Sequence, residues 1–371
     1  MVVFIRSNSI VGDPRVEKYV KYLQLEDIDY KIIGWNRCDE TLNVENVIFY
    51  KRKCGYAIGG LKAVYNRVLW FIFVIKTLYS LKKVSVIHGC DLDSAFPAVL
   101  YKFCGHRKVK IIFDVFDWFS ATLANQAIWI RTAFQMLEKV TIREANTIII
   151  CEEERYEQIP YKISHKTLIL PNIPDIIDHS FKKEEKMQFE DEKVTLSYVG
   201  GFYDNRFLDE LLDLAEDNCV NLQIAGYGDK RLEDRCERLS KQENIHYYGK
   251  VSYKEGLQIM YNSDIIYAMY CKSNHNHLYA APNKFYEAML LSKPIISTRG
   301  TLVGNKIAKM DIGYIIEENI SDLEDLINNV SRTDLQHKGK IAFSFWEKKY
   351  KNYISSFMKE KYFPLLNDTI L

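Results

Sequence analysis

Apolar residues in this chain fall into short runs, separated by longer stretches in which they recur every three or four positions. Val2–Ile5, Tyr30–Ile33, Val84–Ile87, Lys110–Phe113 and Thr147–Ile150 are four-residue runs rich in β-branched and aromatic side chains, and they predict buried strands. Between them, Pro14–Leu25 puts Val16, Tyr19, Val20 and Leu23 on one helical face. Gly60–Leu81, Asp93–Cys104 and Trp129–Ala145 read as further helices. Leu168–Leu170 closes this series at Pro171-Asn172. Residues 178–193 are charged and aperiodic, and predict a connector. The alternation then restarts. Strands are expected at Thr195–Val199, Asn221–Ala225, His246–Tyr248 and Asp264–Ala268, and helices at Phe207–Glu216, Lys230–Gln242 and Tyr253–Asn262. Strands alternating with helices predict the α/β class, here as two Rossmann-like domains with parallel, doubly wound sheets.

The most informative stretch is Leu278–Thr298. Pro282 and Asn283 break what precedes them. Lys284–Leu291 then reads as a short helix with Phe285, Met289 and Leu290 able to face a core, and Ile295–Thr298 as a buried strand. A helix start offers free backbone N–H groups and partial positive charge to a diphosphate, with Lys284 beside them. Glu287, one turn in, can accept hydrogen bonds from two ribose hydroxyls. The plainer alternative is an ordinary strand-flanked helix with an exposed Lys and Glu.

This stretch resembles the donor site of retaining GT-B glycosyltransferases of the family 4 type. Glu287-Ala-Met, Ser292-Lys-Pro-Ile-Ile296 and the Pro282-x-Lys284-x-x-Glu287 spacing carry the likeness, and Asp13-Pro-Arg-Val16 extends it to the first domain. The first of the family's two glutamates falls at Tyr279 and is absent. The resemblance implies two Rossmann-like domains facing each other: an acceptor-side domain at 1–177, the connector at 178–193, and a nucleotide-sugar domain at 194–342. The aromatic tail, 343–371, then suits a C-terminal helix returning to the first domain. It also implies donor contacts at Gly12, Arg206, Gly226, Asn283, Lys284, Phe285 and Glu287. Arg206 inherits the phosphate role because Gly201 stands where relatives place a cation. Acceptor-side candidates are His88, Asp91 and Asp117, with Cys90 where relatives carry a second histidine. Asp13 with Pro14 also suits a helix N-terminus, and Asp91 or Asp93 could cap the next helix. Without an Asp-x-Asp in a suitable context, the expected chemistry needs no metal and no cofactor. Lys284, Arg206 and helix N-termini stand in for magnesium, and the nucleotide-sugar is a substrate.

Charge changes the picture locally. The chain carries a net +1, which argues against a nucleic-acid binder. Yet residues 51–110 hold twelve Lys or Arg against Asp91 and Asp93, a local excess that suits phosphate or an anionic membrane surface as well as a solvated face. The 60–81 helix mixes Tyr65, Trp70, Phe71, Phe73 and Tyr79 with Lys62, Arg67 and Lys76. It fits a surface dipping into headgroups and a buried interdomain helix equally well. The longest apolar run, Val68–Ile75, is far short of the ~20 residues a membrane span needs. Eight cysteines without a C-x-x-C pair read as buried thiols in a reducing compartment.

The expectation is therefore a cytoplasmic enzyme, with peripheral contact at the inner membrane face left open. It would move a hexosyl group from a nucleotide-sugar, UDP-linked, to a glycan or polyprenyl-linked acceptor with retention. Surface polysaccharide, capsule or lipopolysaccharide synthesis is the expected setting. A GT-B sugar-nucleotide 2-epimerase and a non-catalytic partner in glycan assembly are the alternatives. A nicotinamide dehydrogenase is remote, because no G-x-G-x-x-G follows the first strand.

Overall fold

A computed structural model describes residues 1–8, 13–37, 44–54, 60–123, 126–175, 181, 189 and 192–367. Most of the expected connector, and Gly12, lie outside the described residues. Two compact units emerge, one formed by Met1–Pro171 with Ile354–Leu371, the other by Asn172–Tyr353.

The first unit runs β1 (Val2–Arg6), α1 (Pro14–Leu25), β2 (Tyr30–Asn36), β3 (Val47–Lys51), α2 (Gly60–Ser80), β4 (Val86–Cys90), α3 (Leu92–Phe103), β5 (Lys110–Val115), α4 (Phe119–Thr122), α5 (Ile128–Glu144), β6 (Thr147–Ile150), α6 (Arg155–Gln158) and β7 (Thr167–Ile169). Its seven strands are all parallel, in the order β3-β2-β1-β4-β5-β6-β7. The order reverses between β1 and β4, the place where open parallel sheets leave a crevice at their carboxyl ends. Asp13 caps α1 as expected: its Oδ1 accepts from the backbone N–H of Arg15 (3.1 Å) and Val16 (3.3 Å), and Pro14 takes the first helical position.

The second unit follows the same plan: β8 (Thr195–Phe202), α7 (Leu208–Glu216), β9 (Asn221–Gly228), α8 (Lys230–Leu239), β10 (Ile245–Tyr247), α9 (Tyr253–Asn262), β11 (Ile265–Tyr267), α10 (His275–Leu278), α11 (Asn283–Leu290), β12 (Ile295–Thr298), α12 (Leu302–Met310), β13 (Gly313–Ile316), α13 (Ile320–Asn329) and α14 (Arg332–Phe345). Its six parallel strands are ordered β10-β9-β8-β11-β12-β13. The closing helices, α15 (Tyr353–Phe357) and α16 (Phe363–Asn367), fall almost wholly in the first unit, where the Lys110 ammonium donates to the Leu365 carbonyl (3.2 Å).

Each unit has its own core. In the first, Trp35 and Trp70 stack 5.5 Å apart between β2 and α2. Trp70 and Phe73 thus serve the core, while Val64, Val68 and Ile72 of the same helix face outward and are exposed. In the second, α11 buries Phe285, Tyr286, Met289 and Leu290. Each such side chain contributes roughly 1.5–3 kcal/mol, which pins the helix and fixes where its first turn lies. The cysteines depart in part from expectation. The seven described are free thiols, but Cys104 and Cys219 are exposed.

Candidate functional site

The second unit gathers its polar groups at the carboxyl ends of β8, β9 and β11 and the start of α11. Lys284 sits in the first turn of α11, its ammonium 4.8 Å from the centre of the Tyr198 ring. A side chain at Gly200 would place its first carbon 2.7 Å from that ammonium, so glycine there keeps the lysine's berth open. A side chain at Gly201 would meet the Tyr203 ring at 2.4 Å. Arg206 lies in the turn that follows β8. The Arg206 guanidinium lies 4.4 Å over the Tyr270 ring, and its buried Nη1 has no hydrogen-bond partner among the described residues. A buried donor left open is costly unless something supplies an acceptor.

Glu287 is 4% exposed and accepts a hydrogen bond from the Tyr253 hydroxyl at 2.9 Å. It is the carboxylate acting on Lys284, while Arg206 repels it. Burial, with that repulsion, brings the Lys284 ammonium down to about 8 despite Glu287. Two cations against one carboxylate, at the mouth of a helix N-terminus, form an anion-seeking arrangement.

The structure places three other expected donor contacts as follows. Phe285 points into the core, 2% exposed, and its backbone N–H is taken by the Pro282 carbonyl at 3.2 Å. Gly226 lies within β9, opposite Gly200. A first side-chain carbon there would lie 1.9 Å from the Gly200 carbonyl oxygen, so the glycine answers to strand packing. Asn283 is the first residue of α11 and half-buried.

In the first unit the main correction concerns His88. The strand was expected to end at Ile87, leaving His88 free at its edge. Instead β4 continues to Cys90, with His88 paired to Phe4 and Ile112, fully buried. Both ring nitrogens are occupied: Nε2 lies 3.3 Å from Asp114 Oδ2 and Nδ1 2.9 Å from the Tyr362 hydroxyl. Asp114 also accepts from Arg15 Nε (3.0 Å), Arg15 Nη2 (2.6 Å) and the Tyr19 hydroxyl (3.0 Å). Burial alone would raise this carboxyl, but Arg15 and His88 more than offset it and hold it well below the usual range. With Asp114 ionised, Nε2–H donates to it and Nδ1 accepts from Tyr362. Burial keeps the imidazole neutral by lowering its pKa. His88 is thus a brace inside the unit.

Asp91 does reach the edge. Its backbone stands at φ 68°, ψ 170°, a strained conformation for a residue with a side chain. It does not cap α3. Its Oδ1 accepts from the N–H groups of Phe116 (2.9 Å) and Asp117 (3.2 Å), and Oδ2 pairs with Arg6. Burial pushes it up to about 6, with Arg6 opposing and Asp117 and Asp93 adding to the rise. Arg6 also lies 4.1 Å over the Phe116 ring. Asp117 is exposed, 3.5 Å from Arg155 Nη2.

Sequence reasoning missed the aromatic walls Tyr198, Tyr253 and Tyr270, and the cations Arg6 and Arg155. The tyrosines had one readable signal: Tyr198 stands two residues before Gly200, and Tyr270 three after β11 ends.

Comparison with known proteins follows this geometry. Residues 180–340 match the family described as Glycosyl transferases group 1. The matched stretch falls within the second unit. No curated protein sequence matches the chain. Among solved structures, the sucrose-phosphate synthase of Thermosynechococcus elongatus aligns with a TM-score of 0.71 at 13% identity, over 99% of this chain and 99% of that one. Anabaena HepE, in complex with UDP and glucose, aligns at 0.68 and 12%, over 97% and 98%. WaaG, a glycosyltransferase of lipopolysaccharide biosynthesis, aligns at 0.64 and 13%, over 94% and 96%. The two-unit α/β architecture is that of GT-B glycosyltransferases.

Proposed function

We propose that this chain is a retaining, family 4-type hexosyltransferase. It moves a sugar from a UDP-linked donor to a glycan or polyprenyl-linked acceptor in surface polysaccharide, capsule or lipopolysaccharide synthesis. The observation that carries this reading is the Lys284–Arg206 pair at the α11 N-terminus, with an open guanidinium N–H and Glu287 one turn in. The HepE structure, which holds UDP and glucose, supports the choice of donor.

In the proposed reaction the bond between the anomeric carbon and the diphosphate oxygen breaks, and its electron pair leaves with UDP. Charge then builds on the β-phosphate, and fixed cations stabilise it most at that moment. Lys284 and Arg206 supply those cations, in place of a metal. Glu287 accepts from the ribose hydroxyls. The acceptor oxygen attacks from the face the diphosphate leaves, its proton passing to a phosphate oxygen, so no protein nucleophile is required at Tyr279. Asp91 and Asp117 are the proposed acceptor contacts. His88 acts behind them by steadying Asp114.

The protein would work in the cytoplasm, where nucleotide-sugars are made. Among the described residues no helix is long and apolar enough to cross a membrane. Peripheral contact with an anionic membrane is supported by Val64, Val68 and Ile72 on α2 and by Ile128, Trp129 and Met136 on α5, all exposed, with Lys76, Arg131 and Lys139 among them.

Thermal-shift screening with UDP-, GDP-, ADP- and CMP-sugars tests the donor. A ligand at a hundred times its Kd adds about 2.7 kcal/mol to the folded state. UDP-sugars are expected to raise Tm and the others to leave it unchanged. A flat response to all four bases would remove the donor assignment.

A further inference from the structure

Arg155 is 3% exposed, yet its Nε and Nη1 have no hydrogen-bond partner among the described residues. Its nearest acid is Asp117, whose Oδ1 lies 3.5 Å from Nη2, beyond good hydrogen-bond reach, and whose side chain is 64% exposed. Three further carboxylates at this edge are committed elsewhere, Asp114 to Arg15, Tyr19 and His88, and Asp13 and Asp91 to Arg6, and the buried Glu152 has a partner of its own. Arg15 lies close enough to repel Arg155.

A guanidinium out of water whose only ion pair is one long contact to an exposed carboxylate, with two N–H edges open and a second cation nearby, is incompletely compensated. Its position adds meaning. Arg155 follows β6, Asp117 follows β5, and Arg15 is tied to the Leu170 carbonyl (3.1 Å) just past β7. The three residues meet at the carboxyl edge of the sheet, where open α/β units bind ligands.

We propose that Arg155 is the anchor of a phosphate-ester site in the first unit, separate from the donor diphosphate site, and that the acceptor carries that phosphate. The guanidinium is planar and forked. Nε pairs with Nη2 on one edge and Nη1 with Nη2 on the other, so once Asp117 gives way at Nη2 either edge offers two parallel N–H groups to two oxygens of a phosphate or its monoester. This rests on the glycosyltransferase reading for the word acceptor, but the site itself does not.

The test uses the whole chain saturated with UDP, so that the donor site is filled. Calorimetric titrations then follow with inorganic phosphate, glycerol 1-phosphate, and vesicles of phosphatidylcholine with or without phosphatidic acid. Saturable phosphate binding is expected. It should weaken by about tenfold or more in Arg155→Gln, partly recover in Arg155→Lys, and tighten in Asp117→Asn, which removes the competing carboxylate. A merely structural arginine gives no reason for that tightening. Vesicle binding that needs both phosphatidic acid and Arg155 would place the phosphate on a lipid. Binding of glycerol 1-phosphate alone would place it on a soluble acceptor.

Equal phosphate affinity in wild type and Arg155→Gln overturns the proposal, as does no phosphate binding by a wild type that binds UDP. Loss of UDP binding in Arg155→Gln would merge the two sites and overturn it too. If wild type fails to bind UDP while Arg155-dependent phosphate binding persists, the donor reading fails and this one stands. Circular dichroism confirms that each variant is folded.

Discussion

At the residue scale, the lowered ammonium of Lys284 has a consequence for binding. Free protein gives up this proton near pH 8, whereas a diphosphate beside it favours the charged form. Binding therefore takes up a proton once the pH exceeds about 8. UDP affinity is expected to stay level from pH 7 to 8 and then fall, approaching tenfold per pH unit. In Lys284→Arg the fall should vanish, because guanidinium does not titrate there. Titration calorimetry from pH 7 to 9.5 reads this directly, and a level profile in wild type would refute it. The same lysine bears on stability. With its folded pKa below the unfolded 10.5, the charged form burdens the native state below about 8, and that burden lifts as pH rises toward 10.5. The His88 brace is tested separately. Tyr362→Phe removes the hydroxyl that His88 Nδ1 accepts from, and a buried acceptor left unmet costs about 1–3 kcal/mol. The urea midpoint should drop while UDP affinity holds. If UDP binding falls instead, His88 does more than brace.

At the element scale, strand and helix positions were legible because each burial pattern is local. Tyr253–Asn262 and Ile295–Thr298 are found where periodicity placed them, and α1 keeps both predicted ends. Strand ends were less legible. β4, β8 and β9 each run three residues beyond the apolar run, through His88-Gly-Cys90, Gly200-Gly-Phe202 and Gly226-Tyr-Gly228. Glycines at close strand approaches resemble turns in sequence, yet backbone pairing with a neighbouring strand keeps them extended. β3 was legible too, since Val47-Ile-Phe-Tyr50 is a run of the same kind, but it was not among the strands expected.

The α4–α5 pair carries its own prediction. Glu138 of α5 is buried and accepts from the Ser120 N–H at 2.7 Å, with Oε2 unpartnered. Burial pushes it up to about 7, the Ser120 hydrogen bonds opposing. The native state thus holds a proton that the unfolded chain releases near 4.5. Stability from this group is full below pH 4.5 and is lost as pH rises to 7. Glu138→Gln should remove that slope and be the more stable form at pH 8, by on the order of 1–3 kcal/mol. Urea titrations of both proteins at pH 5, 6, 7 and 8 check it. Parallel curves would show that the carboxyl does not titrate in this range.

At the scale of the whole molecule, the repeated alternation of strand and helix was enough to foresee two doubly wound units. Identities of only 12–13% with structures aligning at TM-scores of 0.64–0.71 fit that view. The fold is held by pattern and burial, which many sequences satisfy. The polar networks were not legible. Arg15 meets Asp114 across 99 positions and His88 meets Tyr362 across 274, and no local signal joins such pairs. Of the proposed donor contacts, Lys284 and Glu287 were picked out together because they share a single turn, and Arg206 from its place after Gly200-Gly201, whereas the tyrosines beside them come from separate segments and were not.

The central claim is that a nucleotide-sugar's diphosphate is held by Lys284 and Arg206. Titration calorimetry of UDP at pH 7.5 against wild type, Lys284→Met and Arg206→Gln tests it most directly. Each substitution removes a charge-assisted contact, and about a tenfold to hundredfold rise in Kd is expected for either. Unchanged UDP affinity in both folded variants would contradict the account.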